Sequence, residues 1–433
     1  MIAAHPASDN LEPQPMPRNI LYAQSGGVTA VINASACGVI ETARRHPEAF
    51  CKVFAARDGI LGVLNEELYD LSLEEADQIA ALRHTPGGAF GSCRVDLDDP
   101  ADNPGQYARL LEVLRVHDIG TFCYNGGGGS MLTAAKVARF ARANGLDLSV
   151  IGIPKTIDND LPQTDTSPGF GSAAKYIATS VREVSLDLAA MAGTSTKVFI
   201  LEVMGRHAGW LAAGAGLAFE ENDDSPLILL LAEVDFDEAR FLAKLDAVVA
   251  RHGWCIVVAA EGLMCGEQFC AQAATSETFG HEQLGGLAPR LARLTRQRGY
   301  KTHWAVSDYF QRSARHLASR VDVEQAYACG AAAVSFALEG RSDVMVAIRR
   351  TSCEPYLWSL EGVPLDEVAD VELPVPPEYI RADGYGITPE ARRYLRPLIQ
   401  GEDIPPFRDG LPHFAELRLQ RAEKRLPPWT GKP

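Results

Sequence analysis

Residues 150–161 read VIGIPKTIDNDL, and this stretch decides how the rest of the chain is interpreted. Its apolar first half, closed by a proline, predicts a buried β-strand. Lys155, Thr156, Asp158 and Asp160 follow at once, at the carboxyl end of that strand. Open parallel sheets bind their ligands at this end. A carboxylate there can accept a proton, and a fixed ammonium can offset the charge of a transferring phosphoryl group. The alternative is a polar turn capped by aspartate and asparagine.

Size and charge limit the classes of function that the chain can have. Its 433 residues predict two domains, and a composition of 46% apolar and 22% charged residues is typical of a globular enzyme. The net charge of −15 disfavours nucleic acid or an anionic membrane as a partner. A phosphorylated substrate would therefore need a local cluster of lysine and arginine.

Targeting and redox features predict a cytoplasmic protein. Residues 1–17 lack the apolar run of a signal peptide and are predicted to be a disordered lead-in. No apolar stretch reaches the roughly 18 residues that a membrane span needs. The nine cysteines are odd in number and dispersed, which indicates reduced thiols rather than disulfides or a zinc site.

The chain alternates short apolar runs with helical patterns, which predicts an α/β fold built on parallel strands. The strands are predicted at 19–24, 121–124, 150–153, 198–203 and 254–260, and helices at 31–45, 131–144 and 323–338. Each of the five strands runs into a glycine-rich or polar cluster. The fold would bring these clusters to one edge of a sheet.

Two of the clusters are glycine loops between a strand and a helix. They are Ser25-Gly26-Gly27 and residues 126–130, which read GGGGS. Backbone N–H groups in such loops can bind phosphate, with the helix N-terminus adding positive charge. Neither loop matches the GxxxxGK[ST] motif, so an ordinary P-loop nucleotidase is disfavoured. Two such loops in one chain favour phosphate binding over simple tight turns.

Three further clusters carry charge. Residues 204–209 (MGRHAG) place Arg206 at a strand end, and Glu261 follows an almost wholly apolar strand. Residues 309–316 (YFQRSARH) supply two arginines and a histidine ahead of a helix. Arginine suits the phosphate of a sugar phosphate, and a carboxylate can accept hydrogen bonds from sugar hydroxyls. The alternatives are a surface ion pair for Arg206, a cap of the next turn for Glu261 and a solvated helix start for residues 309–316.

Taken together, PKTIDNDL, MGRHAGW, AAEG and YFQRSAR, in this order over roughly residues 19–350, resemble the phosphofructokinase family. The resemblance implies two Rossmann-like, three-layer α/β/α domains with the active site in the cleft between them. A phosphoryl-donor domain would comprise residues 18–167 plus about 312–360. A sugar-phosphate domain would comprise 168–311 plus about 361–410, and residues 411–433 would form a C-terminal tail.

The resemblance also implies the role of each site residue. Asp158 would be the general base for the C1 hydroxyl of fructose 6-phosphate, acting with Lys155, Thr156 and Arg206, while Thr156 and Asp160 would help to position phosphate and Mg²⁺. The substrate-binding residues would be Thr156, Ile157, Asp158, Lys197, Met204, Gly205, Arg206, Glu261, Tyr309, Phe310, Gln311 and Arg312. The donor-binding residues would be Gly26, Arg94, Gly127, Gly128, Gly129 and Ser130. Lys197 would reach in from a neighbouring subunit, which implies a homodimer or homotetramer.

The markers of the phosphoryl donor disagree. Lys155 stands where the pyrophosphate-using branch of the family has a lysine. Gly128 and Gly129 replace loop residues that are commonly acidic, so the position of Gly128 lacks its usual side chain near Mg²⁺ and Gly129 lacks the usual block against ATP. Val28 replaces a common acidic residue, and His303 stands where arginine is frequent. We give Lys155 more weight, because its charge acts directly on the transferring group.

The leading hypothesis is therefore a Mg²⁺-dependent, reversible transfer of a phosphoryl group from pyrophosphate to fructose 6-phosphate, giving fructose 1,6-bisphosphate in glycolysis. The same reaction with ATP is the first alternative. The second is a weakly active regulatory subunit that binds sugar phosphate, although such a subunit would have no need of Asp158. A dehydrogenase is disfavoured, because the glycine loops lack GxGxxG and its distal acid.

Overall fold

The structure, a computed structural model, describes residues 17–220, 224–263 and 286–431. All but the last residue of the predicted lead-in lies outside the described residues. The strands are β1 (Arg18–Gln24), β2 (Phe50–Ala56), β3 (Leu68–Asp70), β4 (Ile119–Gly126), β5 (Ser149–Pro154), β6 (Val198–Val203), β7 (Leu227–Leu230), β8 (Cys255–Ala260), β9 (Thr302–Val306), β10 (Val344–Cys353), β11 (Tyr356–Pro364), β12 (Phe407–Arg408) and β13 (Leu411–Pro412).

The α-helices differ widely in length. They are α1 (Ile32–Arg44), α2 (Ile60–Leu64), α3 (Ala76–Ala81), α4 (Pro104–Val116), α5 (Gly128–Ala143), α6 (Phe170–Met191), α7 (Trp210–Ala215), α8 (Glu238–His252), α9 (Leu287–Gln297), α10 (Phe310–Ser313), α11 (Arg320–Leu338) and α12 (Pro389–Leu395). Helix α5 begins three residues earlier than the sequence predicted. Gly128 to Ser130 therefore form its first turn and are not a loop.

The first sheet has seven strands in the order β11-β10-β5-β4-β1-β2-β3. Its five central strands are parallel, whereas β3 and β11 pair antiparallel at the two edges. In the β4–β5 pair, Asn125 lies opposite Ile153 and Gly126 lies opposite Pro154. This register places the start of α5 beside Lys155, which directly follows β5.

The second sheet has four parallel strands in the order β7-β8-β6-β9. Val203 at the end of β6 lies opposite Ala260 at the end of β8, and Glu202 lies opposite Val306 of β9. The residues that follow these strands therefore meet at one edge. They include Met204, Glu261 and Asp308.

Helices cover both faces of each sheet, because the strands are apolar on both sides. Helices α4 and α5 pack on one face of the first sheet, while α1 and α11 pack on the other. Helices α6 and α7 cover one face of the second sheet, and α8 and α9 cover its other face. The predicted architecture of two three-layer α/β/α units is confirmed. The residue boundaries of the donor and sugar-phosphate domains stay a prediction.

The C-terminal segment, residues 411–431, packs against the first sheet. Leu417 and Leu419 contact one core layer, and Leu426 and Trp429 contact the opposite layer. Buried Glu66 accepts hydrogen bonds from the backbone of residues 425 and 426 and lies 2.8 Å from His117 Nε2. Within the described part of the chain, no helix is long and apolar enough to cross a bilayer.

Candidate active site

A cleft of about 960 Å³ lies where the carboxyl ends of the two sheets face each other. Most of the predicted site residues line it. They are Arg94, Lys155, Thr156, Ile157, Asp158, Asp160, Met204, Arg206, Glu261, Tyr309 and Arg312. The cleft therefore brings together residues that the sequence placed after three separate strands, and it adds Arg94, Tyr309 and Arg312, for which no preceding strand was predicted.

The loop after β5 is held in one conformation by local hydrogen bonds. The Thr156 hydroxyl lies 3.3 Å from Asp158 Oδ2 and accepts a bond from the Asp158 backbone N–H at 3.0 Å. Asn159 has a positive φ of 55°, and its side chain bonds Thr166, the backbone N–H of residue 167 and Tyr394. These anchors leave the Asp158 carboxylate at the cleft, where burial raises its pKa.

Lys155 is a buried cation, with 3% of its surface exposed. Burial lowers the pKa of its ammonium to about 8, although Asp158 acts in the opposite direction. A Cβ on Gly26 would lie 3.2 Å from Lys155 Nζ, so a side chain there would displace this ammonium by a few tenths of an ångström. Gly26 also has a positive φ of 74°, which glycine adopts at low cost.

Two arginines converge on the adjacent residue, Gly27. A Cβ there would lie 2.8 Å from a guanidinium nitrogen of Arg312 and 3.3 Å from one of Arg94. The guanidinium of Arg312 is also 3.8 Å from the centre of the Tyr309 ring. Lys155, Arg94 and Arg312 thus surround a glycine turn that leaves room for a polyanion. This is the local cationic cluster that a phosphorylated ligand requires in an acidic chain.

Carboxylates also act on Lys155 in the cleft. Burial, and then the charge of Asp158, raises the pKa of Asp160 to about 7. The same two causes raise the pKa of Glu261 to about 7. Asp158 and Asp160 are half-buried and their charges interact, so a cation bound beside them would be stabilised. The described residues contain no cluster of three protein ligands for a metal. Mg²⁺, however, commonly takes one or two protein carboxylates and completes its shell with phosphate and water.

The second sheet presents a tight turn at Met204–Arg206. The Met204 backbone N–H donates to Gln311 Oε1 at 3.3 Å. Gly205 has a φ of 127°, and a Cβ there would lie 2.5 Å from the Ala208 carbonyl. Gly262 N–H donates to the Gly205 carbonyl at 3.2 Å, so the turn is joined to the segment that carries Glu261. Arg206 and Glu261 thereby share one wall of the cleft.

Some predicted residues lie outside the cleft of their own chain. Lys197 precedes β6, at the opposite end of the strand, and its ammonium bonds the Ala192 carbonyl. Phe310 is 71% exposed, and Gln311 is buried behind Met204. Gly127 and the first turn of α5, residues 128–130, do not line the cleft. They lie next to the segment of Lys155, since a Cβ on Gly127 would be 3.7 Å from the Lys155 carbonyl. The roles assigned to all of these residues stay predictions.

Other cleft residues were missed by the sequence analysis. Glu372 lines the cleft and lies 2.7 Å from His207 Nδ1. His207 stands inside the MGRHAGW motif, so its position carried a signal. Glu372 had no signal in the sequence, because it belongs to a proline-rich segment before which no strand was predicted. Only the fold brings that segment across the cleft, where Leu373 N–H donates to the Asp160 carbonyl at 2.7 Å.

Comparison with known proteins identifies relatives over nearly the whole chain. The family model described as Phosphofructokinase matches residues 19–337. Pyrophosphate–fructose 6-phosphate 1-phosphotransferase of Halomonas elongata is 56% identical over 411 residues, covering 94% of this chain and 98% of the relative. The protein of the same name from Xanthomonas campestris pv. campestris is 57% identical over 417 residues, with 95% and 99% covered.

Two crystal structures share the fold at high sequence identity. Pyrophosphate-dependent phosphofructokinase from Marinobacter aquaeolei superposes with a TM-score of 0.88 at 53% identity, covering 96% of this chain and all of the other. The enzyme of the same name from Nitrosospira multiformis gives a TM-score of 0.89 at 49% identity, with 95% and 100% covered.

Proposed function

Because the chain belongs to the phosphofructokinase family, we propose that it transfers a phosphoryl group reversibly from pyrophosphate to the C1 hydroxyl of fructose 6-phosphate. The products are fructose 1,6-bisphosphate and phosphate, and the reaction depends on Mg²⁺. The reaction belongs to glycolysis in the cytoplasm. The relatives named for this activity are matched along almost their full length, so no large part of those proteins lacks a counterpart here.

The observation that carries the proposal is the buried ammonium of Lys155 between the glycine turn and Asp158. When one phosphoryl group of pyrophosphate is transferred, its bond to the bridging oxygen breaks and the other half leaves as inorganic phosphate. The charge that develops on this leaving group needs a fixed cation. Lys155 lies next to Arg94 and Arg312 at Gly27, so three positive charges act on one small donor. A nucleoside is not required to hold such a donor in place.

On the acceptor side, Asp158 takes the proton from the C1 hydroxyl. Its raised pKa makes it a better proton acceptor than an ordinary aspartate, and the hydroxyl of Thr156 holds it in place. Arg206 binds the sugar phosphate, and Glu261 accepts hydrogen bonds from sugar hydroxyls. Tyr309 closes the same side beside Arg312.

The carboxylates of Asp158 and Asp160 fit a magnesium ion that is bound together with the donor phosphates. When bound, Mg²⁺ neutralises charge on the phosphates during transfer. Asp160 is the protein ligand best placed for it. Its backbone carbonyl accepts from Leu373, which fixes this residue against the segment that carries Glu372.

The functional unit is a homodimer or homotetramer. Lys197 cannot serve its own cleft from the amino end of β6, so a role in sugar-phosphate binding requires a second subunit. Apolar side chains are exposed on β9 and just after it, which suits such a contact. They include Trp304 and Phe310.

The test is turnover of the purified protein with fructose 6-phosphate and Mg²⁺, with pyrophosphate or ATP as donor. Turnover with pyrophosphate and little with ATP is expected. Turnover with ATP alone would refute the proposal in favour of the ATP-dependent reaction. Binding of fructose 6-phosphate without turnover with either donor would instead support a regulatory subunit.

A further inference from the structure

A carboxylate fills the space that Gly129 leaves open. Gly129 lies in the first turn of α5, next to the predicted donor site, and has no side chain. A Cβ built on it would lie 3.4 Å from Oδ1 of Asp96. Asp96, which belongs to a different segment of the chain, therefore places a carboxylate next to residue 129, which has no side chain of its own.

The segment that carries Asp96 is fixed to two helices. The next residue, Leu97, is 3% exposed and packs into the core, and its carbonyl accepts from Lys136 of α5 at 3.2 Å. The Asp98 carbonyl accepts from Tyr107 of α4 at 2.7 Å. Negative charge is also stabilised near a helix N-terminus such as that of α5. The backbone that follows Asp96 is thus fixed, with the Asp96 carboxylate beside Gly129.

The position of Asp96 relative to the donor follows from its neighbours in the chain. Arg94 and Val95 line the cleft, and the guanidinium of Arg94 lies beside that of Arg312 at Gly27. Asp96 comes next, outside the cleft lining, and is exposed. Among the described residues, no lysine, arginine or histidine forms an ion pair with Asp96. A donor that extends beyond the cationic cluster on this side would meet the Asp96 carboxylate.

We propose that Asp96 limits the length of the phosphoryl donor and so selects pyrophosphate over nucleoside triphosphates. This inference rests on the proposed function. Pyrophosphate ends at its second phosphate, which the cationic cluster holds. A nucleoside triphosphate continues into a third phosphate and a sugar, which are repelled by the charge of Asp96 or obstructed by its side chain.

The experiment compares Asp96→Asn with Asp102→Asn. Asp102 is an exposed aspartate of the same segment, and within the described part of the chain its side chain makes no hydrogen bond or ion pair. Initial rates are measured with pyrophosphate, tripolyphosphate and ATP, and ATP is also tested as an inhibitor competing with pyrophosphate. Tripolyphosphate separates donor length and charge from recognition of a nucleoside.

In Asp96→Asn, the inhibition constant of ATP and the KM of tripolyphosphate as a donor are expected to fall about tenfold, as loss of one nearby unit charge implies. Asp102→Asn should resemble the parent protein. Equal inhibition constants in the two variants would overturn the inference. A parent protein that does not use pyrophosphate would defeat the proposed function itself, so the two failures are distinguishable.

A charge swap gives an independent test. In Gly129→Asp, two carboxylates share one space, so we expect a loss of pyrophosphate turnover of about tenfold or more. The double variant Asp96→Gly/Gly129→Asp keeps one carboxylate there and should recover most of the loss. Additive effects of the two substitutions would show that the residues do not share a role and would overturn the inference.

Discussion

Replacement of Lys155 by methionine tests the central claim about donor chemistry. Methionine has a similar length and no charge, so it fills the buried position beside Gly26 and removes only the ammonium. Burial disfavours the charged form of Lys155 and lowers its pKa from an ordinary 10.5 to about 8. This difference corresponds to about 3 kcal/mol in the free energy of protonation. Lys155→Met should therefore fold at least as stably as the parent protein at neutral pH. Thermal unfolding checks this point.

The expected loss of activity follows from the position of the charge. An ammonium about 4 Å from a charged donor oxygen contributes about 4 kcal/mol at an effective dielectric constant of about 20. Each 1.36 kcal/mol changes a rate about tenfold, which gives an upper value near 10³. Loss of one stabilising contact in other active sites commonly costs about 10²–10³. We expect kcat with pyrophosphate to fall by about this factor.

The assay measures kcat and KM with pyrophosphate at saturating fructose 6-phosphate, together with calorimetric binding of fructose 6-phosphate alone. Sugar-phosphate binding should change little, because Arg206 and Glu261 lie on the other wall of the cleft. A fall in kcat of less than about threefold in a folded variant would refute the assignment of Lys155 to the donor.

Four further predictions address the base, the metal, the pH dependence and the fold. The kcat/KM of the parent protein for pyrophosphate should decline above a pH of about 8, as Lys155 loses its proton, and this limb should be absent from the pH profile of Lys155→Met. Asp158→Asn should lower turnover by about 10³ or more while calorimetry still detects bound fructose 6-phosphate; retained turnover would contradict its role as the base. In Gly128→Asp, the new Cβ has no neighbour closer than 3.9 Å, so the carboxylate fits. It should lower the Mg²⁺ concentration for half-maximal activity about fivefold to tenfold. An unchanged Mg²⁺ titration would count against a metal role for this position. Glu66→Ala should lower the free energy of unfolding in urea by about 3 kcal/mol, because buried His117 and the part-buried backbone donors of residues 425 and 426 lose their partner. Exposed Glu112→Ala should cost about 0.5 kcal/mol or less.

Much of the fold could be predicted from local patterns. The predicted strand at 198–203 is found at the same residues as β6, and those at 19–24 and 254–260 differ from β1 and β8 by one residue at their starts. The start of α5 was predicted less well, because glycines disfavour a helix and gave no helical signal. Burial of the following apolar residues on the first sheet outweighs that preference.

The site residues that directly follow a predicted strand were correctly placed from the sequence. Lys155, Thr156, Asp158 and Asp160 directly follow β5, and the structure places all of them at the cleft. The contribution of Glu372 was not predictable, because its segment reaches the cleft only through hydrogen bonds to distant residues, such as that to the Asp160 carbonyl.

The sequence by itself determined β1, β4, β5, β6 and β8 and the polar or glycine-rich residues that follow them, because hydrophobic periodicity and glycine act over a few residues. Only the tertiary structure decided which of those ends meet. It brings Arg94 and Arg312 together at Gly27, and it places Asp96 where Gly129 lacks a side chain. Such contacts join residues that are far apart in the sequence and depend on how the layers pack. A carboxylate that is missing from the first turn of α5 can therefore lie on another segment without any local signal in the sequence.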